Sequence, residues 1–242
     1  KLILLEPFGR STCPAISLAA IIAMNQSEGL DPLMLVLSAD HDIKNTKNFI
    51  EAINKGIKQA LNGRIVVFGV SPTSAETGYG YIESLDAMLK DISSSKVKKF
   101  IEKPNKEDAE KYIKDKHFSW NSGIFMFKAS TILAEVQKYN KKVLDICKKA
   151  ISNGTRDFDF QRINKEIFED CPNCSIDVSV MEKTNLASVI KLDCGWNDLG
   201  SWKTLWELSK SDKNGNFLKG KNFIKDVKNT YLRSESRLVV GL

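Results

Sequence analysis

The first seventy residues alternate between short apolar runs of strand length and longer runs of helical length, and that alternation limits the fold more than any single motif does. K-L-I-L-L-E reads as a strand. Pro14, after Ser11 and Thr12, suits a first helical position, and the nearly all-apolar A-I-S-L-A-A-I-I-A-M that follows predicts a buried helix. Leu33 to Leu37 is a second strand, expected to be buried. Thr46 is placed to cap F-I-E-A-I-N-K-G-I-K-Q-A-L, which Asn62-Gly63 ends in left-handed geometry. R-I-V-V-F-G-V is a third strand. A β-α-β-α-β order with short connections predicts an α/β fold whose parallel sheet is covered on both faces.

After Pro72 the rhythm loosens into G-Y-G-Y-I-E, V-K-K-F-I-E-K-P, a helix near 105–116 and the strand S-G-I-F-M-F. Helices are expected over about 131–152 and 201–210. From Phe217, short extended pieces separated by Asn and Gly indicate a β-rich appendage. The division is therefore 1–212 for the α/β domain and 213–242 for the start of the β-rich segment. K-L-I-L-L-E and R-L-V-V-G-L are strands without turn chemistry outside them, the expectation for a chain cut at both ends.

Composition removes several function classes. No apolar run approaches the ~20 residues of a bilayer span, so no membrane segment is expected. Five cysteines, an odd number with no secretory signal, predict reduced thiols and a cytoplasmic location. The net charge of +6 comes from lysines scattered along stretches such as 138–149, with no aromatics interleaved, which describes a solvated surface and not a nucleic-acid site. A homo-oligomer is compatible with the sequence.

L-V-L-S-A-D-H-D ends a strand with Asp40, His41 and Asp42, and in open α/β sheets ligands sit beyond the carboxyl ends of strands. Asp40 or Asp42 is either a helix cap or a metal ligand, and the D-x-D spacing suits a divalent ion with a diphosphate. Glu102-Lys103-Pro104 ends another strand. Proline favours an extended residue before it, which would send Glu102 and Lys103 to opposite sides, while a surface ion pair is the plain alternative. Asn121 in W-N-S-G is an Asx turn or a partner for a hydroxyl. Asp198 before Gly200 reads as a turn residue, and Gly78-Tyr79-Gly80 as a turn without a phosphate-loop pattern. Cys171-Pro172-Asn173-Cys174 lacks the further ligands of a zinc site. Two histidines, His41 and His117, make a histidine-pair mechanism improbable, and Trp196, Trp202 and Trp206 at near-helical spacing predict core packing.

Seven blocks occur in order: E-P-F-G-R with S-T-C-P-A-I-S-L-A-A, L-V-L-S-A-D-H, G-Y-G-Y-I-E, F-I-E-K-P, W-N-S-G-I-F, S-I-D-V-S-V-M-E-K-T and G-W-N-D-L-G-S-W. Together they resemble the bacterial mannose-1-phosphate guanylyltransferases, or GDP-mannose pyrophosphorylases, over essentially the whole chain. Ser11, Cys13 and Ser38 depart from that pattern without removing a charged group. The resemblance implies a Rossmann-like nucleotidyltransferase domain with a mostly parallel mixed sheet. It also implies GMP transfer from GTP to mannose 1-phosphate with Mg2+, giving GDP-mannose and pyrophosphate.

By the same resemblance Asp40 and Asp198 hold the metal, Lys103 takes the sugar phosphate, Glu102 and Asn121 take sugar hydroxyls, and Gly80 lets backbone approach the sugar. Gly9 allows the base to lie against backbone, and Glu6 offers acceptors for guanine's paired N–H donors. Relatives carry an upstream glycine-rich loop, G-G-x-G-x-R-L-x-P-L-S, that is absent from these residues. The resemblance thus implies that this segment alone is unstable and inactive, and it leaves open a following phosphomannose isomerase domain. A D-x-D glycosyltransferase using Asp40 and Asp42, and a non-catalytic sugar-nucleotide sensor, are the alternatives.

Overall fold

The computed structural model describes residues 2–88 and 94–242. In chain order its elements are β1 (Ile3–Leu5), α1 (Thr12–Gln26), β2 (Leu33–Val36), β3 (Asp42–Ile43), α2 (Thr46–Leu61), β4 (Ile65–Val70), β5 (Tyr81–Ser84) and β6 (Ser95–Ile101). Then come α3 (Lys106–Tyr112), β7 (Phe118–Lys128), α4 (Ala129–Tyr139), α5 (Lys141–Ser152), β8 (Thr155–Asp157), β9 (Phe160–Arg162), α6 (Lys165–Glu169) and a π-helical turn, Asp177–Met181. The chain continues through β10 (Ala187–Leu192), β11 (Trp196–Asn197), α7 (Trp202–Leu208), β12 (Phe217–Lys219), β13 (Asn222–Ile224), β14 (Tyr231–Arg233) and β15 (Val239–Gly241). Two units result. The first is Lys1–Ala39 with Ile43–Trp196, and the second is Asp40–Asp42 with Asn197–Leu242.

The first unit is organised by a six-stranded sheet in the order β2-β7-β4-β10-β6-β5, with β5 also pairing to β7. Strands β2, β4, β5 and β10 run one way and β6 and β7 the other, so within this sheet, among the described residues, β4–β10 is the parallel neighbour pair. Arg64 fastens that pair: its guanidinium donates to Ser188 Oγ at 2.9 Å, Asn185 O at 3.1 Å and Ala187 O at 2.6 Å. The alternation of strand side chains feeds two cores. Ile65, Val67, Phe125, Phe127, Ala187 and Val189 enter one with the apolar side of α1, and Val66, Phe68, Ile124, Met126, Ile190 and Leu192 enter the other with Ala52 and Ala60 of α2.

The strands exist where the sequence indicates them, but their neighbours differ. β1 is outside the main sheet, running parallel to β9 in a three-stranded sheet with β8. β7 lies between β2 and β4, because its eleven residues offer a longer ladder than either short strand could give the other. β2 is consequently an edge strand, with Leu33 and Leu35 exposed and not buried as expected.

Helix α1 is buried as its composition requires, but Thr12 Oγ1 accepts from the Ile176 N–H at 2.9 Å. Asn45, one residue ahead of Thr46, caps α2 by accepting from the Asn48 N–H at 3.0 Å, and Gly63 ends it at φ +79°. The helix expected over 131–152 is two, broken at Asn140, whose Nδ2 donates to Cys174 Sγ and Ser179 Oγ, each at 3.4 Å. At Asn140 the backbone itself leaves helical geometry, at φ −150° and ψ 59°.

In the second unit Ser201 caps α7 by accepting from the Thr204 N–H at 3.1 Å. β12 pairs parallel with β14, and β13 with β15. The tryptophan expectation fails in part. Trp196 is buried on β11, outside the helix, so the three do not share a helical face. Trp202 is 73% exposed with its ring 5.9 Å from that of Tyr231, and Trp206 Nε1 donates to Gly215 O at 2.7 Å. Among the described residues no helix is long and apolar enough to cross a membrane.

Two phenylalanines separate burial from composition. Phe127→Ala should cost about 3–5 kcal/mol in urea unfolding because Phe127 is fully buried, whereas Phe158→Ala, at a site 92% exposed, should stay within about 0.5 kcal/mol. Equal costs would show that the β7 core does not carry the fold.

Candidate active site

In the second unit Asp40, His41 and Asp198 come together although 158 residues of sequence separate the carboxylates. Burial holds the His41 imidazole below its ordinary pKa, and the charges of Asp40 and Asp198 oppose that shift. Asp42, the other half of the D-x-D pair, begins β3, which pairs with β11. Asp198 is also the turn residue that its spacing suggests: Asp198 Oδ1 accepts from the Gly200 N–H at 3.0 Å, with Leu199 at φ +52°. A turn that fixes a carboxylate this way suits a metal ligand as well as a structural role. Among the described residues no group of three or more His, Cys, Asp or Glu side chains is built to hold a metal alone. Two hard-oxygen carboxylates suit a hard divalent cation whose remaining positions are filled by phosphate oxygens and water.

In the first unit four elements converge. Asn121, on β7, receives its place from the ladder: its N–H donates to Gly80 O at 2.8 Å. A Cβ at Gly80 would lie 2.9 Å from Glu102 Oε2 and 3.4 Å from Asn121 Cβ, so glycine there keeps the space between the two side chains open. Asn121 Oδ1 accepts from the Gly123 N–H at 3.1 Å, and its Nδ2 donates to Asp177 Oδ1 at 3.0 Å. Burial, and then the Glu102 charge, push the Asp177 carboxyl up to about 6. Aromatic rings line the same region: Tyr79 meets Trp120 edge-on at 5.2 Å and Trp196 at 5.7 Å.

The E-K-P strand end differs from expectation. Lys103 has φ +45°, not an extended conformation, and its Nζ lies 3.7 Å from Glu102 Oε1. The two side chains meet as an ion pair. Proline favours an extended residue before it, so Lys103 departs from that preference, and the left-handed turn returns its side chain to the carboxylate.

Glu6 and Gly9 follow β1. Glu6 is exposed by area, yet enough protein surrounds it that burial raises its carboxyl pKa. Space beside Gly9 is open, with no atom within 4 Å of a Cβ placed there. No hydrogen bond or ion pair joins either residue to Gly80, Glu102, Lys103 or Asn121. The residue that sequence reasoning passed over is Asp177. Its signal was present in S-I-D-V-S-V-M-E-K-T as an acidic residue inside an apolar run, and the π-helical turn that begins there is a distortion often found at functional sites.

A nucleotidyl transferase family model matches residues 1–215. The chain belongs to the nucleotidyl transferase family. This nucleotidyl transferase is 46% identical over 245 residues to mannose-1-phosphate guanylyltransferase 2 of Escherichia coli O157:H7, covering 99% of this chain and 51% of that protein. It is 43% identical to the mannose-1-phosphate guanylyltransferase of Klebsiella pneumoniae, at 99% and 51% coverage. The chain spans about half the length of the curated relatives it matches. Among solved structures, mannose-1-phosphate geranyltransferase from Thermus thermophilus superposes with TM-score 0.81 at 27% identity, over 98% of this chain and 67% of that one. Mannose-6-phosphate isomerase from Helicobacter pylori gives 0.72 at 31% identity, over 81% and 74%.

Asp177 of this nucleotidyl transferase carries a measurable cost. Its folded pKa lies above the unfolded value, so between about pH 4 and pH 6 the folded state keeps a proton that the unfolded state releases. Stability falls as pH rises through that window, and the penalty is complete above it. Asp177→Asn should therefore stabilise the protein at pH 8, by something on the order of 1–3 kcal/mol, and the gain should vanish below pH 4. Unfolding midpoints at pH 4, 6 and 8 measure it, and a gain independent of pH would refute the assignment.

Proposed function

We propose that this chain carries the site for transferring GMP from GTP to mannose 1-phosphate, giving GDP-mannose and pyrophosphate. The observation that carries this reading is 46% identity to a guanylyltransferase across nearly the whole chain, together with the convergence of Gly80, Glu102 and Asn121 that a hydroxyl-rich ligand requires. The sugar phosphate oxygen forms a bond to the α-phosphorus of GTP. The bond to the bridging oxygen breaks, and pyrophosphate leaves with the electron pair. Such transfer depends on positioning and on neutralising charge.

Two groups of residues supply distinct parts of that chemistry. In the first, Lys103 offers an ammonium to the sugar phosphate, Glu102 accepts from a sugar hydroxyl, and Asn121 both donates and accepts. Gly80 leaves room for the ring. Gly9 offers open backbone to the base, and Glu6 offers carboxylate oxygens to guanine. In the second, Asp40 and Asp198 are the Mg2+ ligands. When bound, Mg2+ would neutralise phosphate charge. The 46% identity to a guanylyltransferase, with the charge of Asp198 acting at His41 beside Asp40, favours this pair over the D-x-D pair of a glycosyltransferase. A sugar-nucleotide sensor would bind GDP-mannose without exchanging pyrophosphate, and an exchange assay separates it from the enzyme.

Asp198→Ala should weaken Mg2+-dependent nucleotide binding by about 1.5–3 kcal/mol, while Asp42→Ala leaves it nearly unchanged. Calorimetry with and without Mg2+ reads both, and equal losses would restore the D-x-D reading. Glu102→Gln should damage mannose 1-phosphate binding and spare GTP. Loss of both ligands alike would mean that the substitution unfolds the site.

A further inference from the structure

The hydrogen bond between Asn121 and Asp177 joins a strand to a π-helical turn 56 residues later. Asn121 uses both ends of its amide: Oδ1 accepts from the Gly123 N–H and Nδ2 donates to Asp177. A flipped amide would face N–H with N–H and oxygen with carboxylate, two repulsive pairings, so these partners select one orientation. Among the described residues the second N–H of Nδ2 and the second lone pair of Oδ1 have no protein partner. Both project from a side chain that shares with Glu102 the space above Gly80.

We infer that Asp177 is the positioning residue for sugar recognition, holding the Asn121 amide so that a sugar hydroxyl accepts from Asn121 Nδ2 while donating to Glu102. The sugar phosphate's identity rests on the guanylyltransferase reading; the orientation of the amide does not. An ionised Asp177 accepts more strongly than a protonated one, so the hold on Asn121 tightens as the carboxyl loses its proton. The charged groups facing Asp177 are Glu102, at the end of β6, and Glu182, at the end of its own turn, and both raise its pKa. Lys103 is paired with Glu102. On α4, which packs against the turn, Glu135 is bonded to Thr184 Oγ1 and Lys138 lies 4.7 Å from the Tyr139 ring centroid.

The test uses Asp177→Ala, which removes the acceptor, and Asp177→Asn, which keeps an acceptor but cannot titrate. In the full-length protein Asp177→Ala should raise KM for mannose 1-phosphate about 10- to 100-fold while KM for GTP stays within about twofold, and Asp177→Asn should recover most of the loss at pH 6. The ratio of wild-type to Asp177→Asn kcat/KM should rise about tenfold from pH 5 to pH 8, the sugar phosphate's own titration cancelling in the ratio. Nuclear magnetic resonance supplies a readout free of turnover: the Asn121 side-chain amide should shift with a midpoint near pH 6 in the wild type and not in Asp177→Asn. An unchanged KM for the sugar phosphate, or both KM values raised alike, overturns the inference. If the wild type does not turn over mannose 1-phosphate, the functional reading fails and the amide decides alone. A titration abolished by Asp177→Asn sustains the positioning role, and its absence in the wild type overturns it.

Discussion

Strand β7 is the constraint on which the first unit depends. Its eleven residues pair with β4 along the middle, with β2 at one end and with β5 at the other, and their alternation fills both cores at once. Each large side chain it buries contributes about 1.5–3 kcal/mol, and no neighbour could move without uncovering one face or the other. Asn121 sits on this strand where the pairing with β4 shifts register, between Val67 and Gly69. Irregular pairing beside a ligand site is a common device for aiming a side chain. Here it sets the amide among Gly80, Glu102 and Asp177.

Around that rigid strand the candidate site gathers features that oppose folding. Asp177 is desolvated beside a second carboxylate, and Lys103 takes a left-handed conformation that a lysine rarely adopts. Neither improves packing. Both place charge beside Gly80 and Asn121, where the proposed sugar phosphate would meet it, and the surrounding sheet holds the strained backbone in place. The Glu102–Lys103 ion pair, only partly buried, contributes little stability and leaves both groups able to exchange each other for a ligand.

The second unit solves a different problem with local means. Asp198 is held by its own turn, through the Gly200 N–H. One local hydrogen bond thus fixes a side chain that the proposed metal site needs. Burial keeps His41 toward its neutral form, against the charges of Asp40 and Asp198.

Local structure was legible because it depends on nearby residues. The all-apolar α1, the Asn62-Gly63 stop and the two-faced run at Ile65–Val70 follow from period and turn chemistry alone, and the ordered blocks from E-P-F-G-R to G-W-N-D-L-G-S-W carried the family. Tertiary structure alone decided strand neighbours. A strand's pattern records which faces are buried but not which edge it meets, so β7 could enter between β2 and β4, and β1 could leave for β9. The same limit hid the break at Asn140, whose non-helical backbone goes with a side chain bonded to the distant Cys174 and Ser179. It hid Asp177 as well, because a single acidic residue in an apolar run acquires its meaning only from the amide and the carboxylate that folding brings beside it.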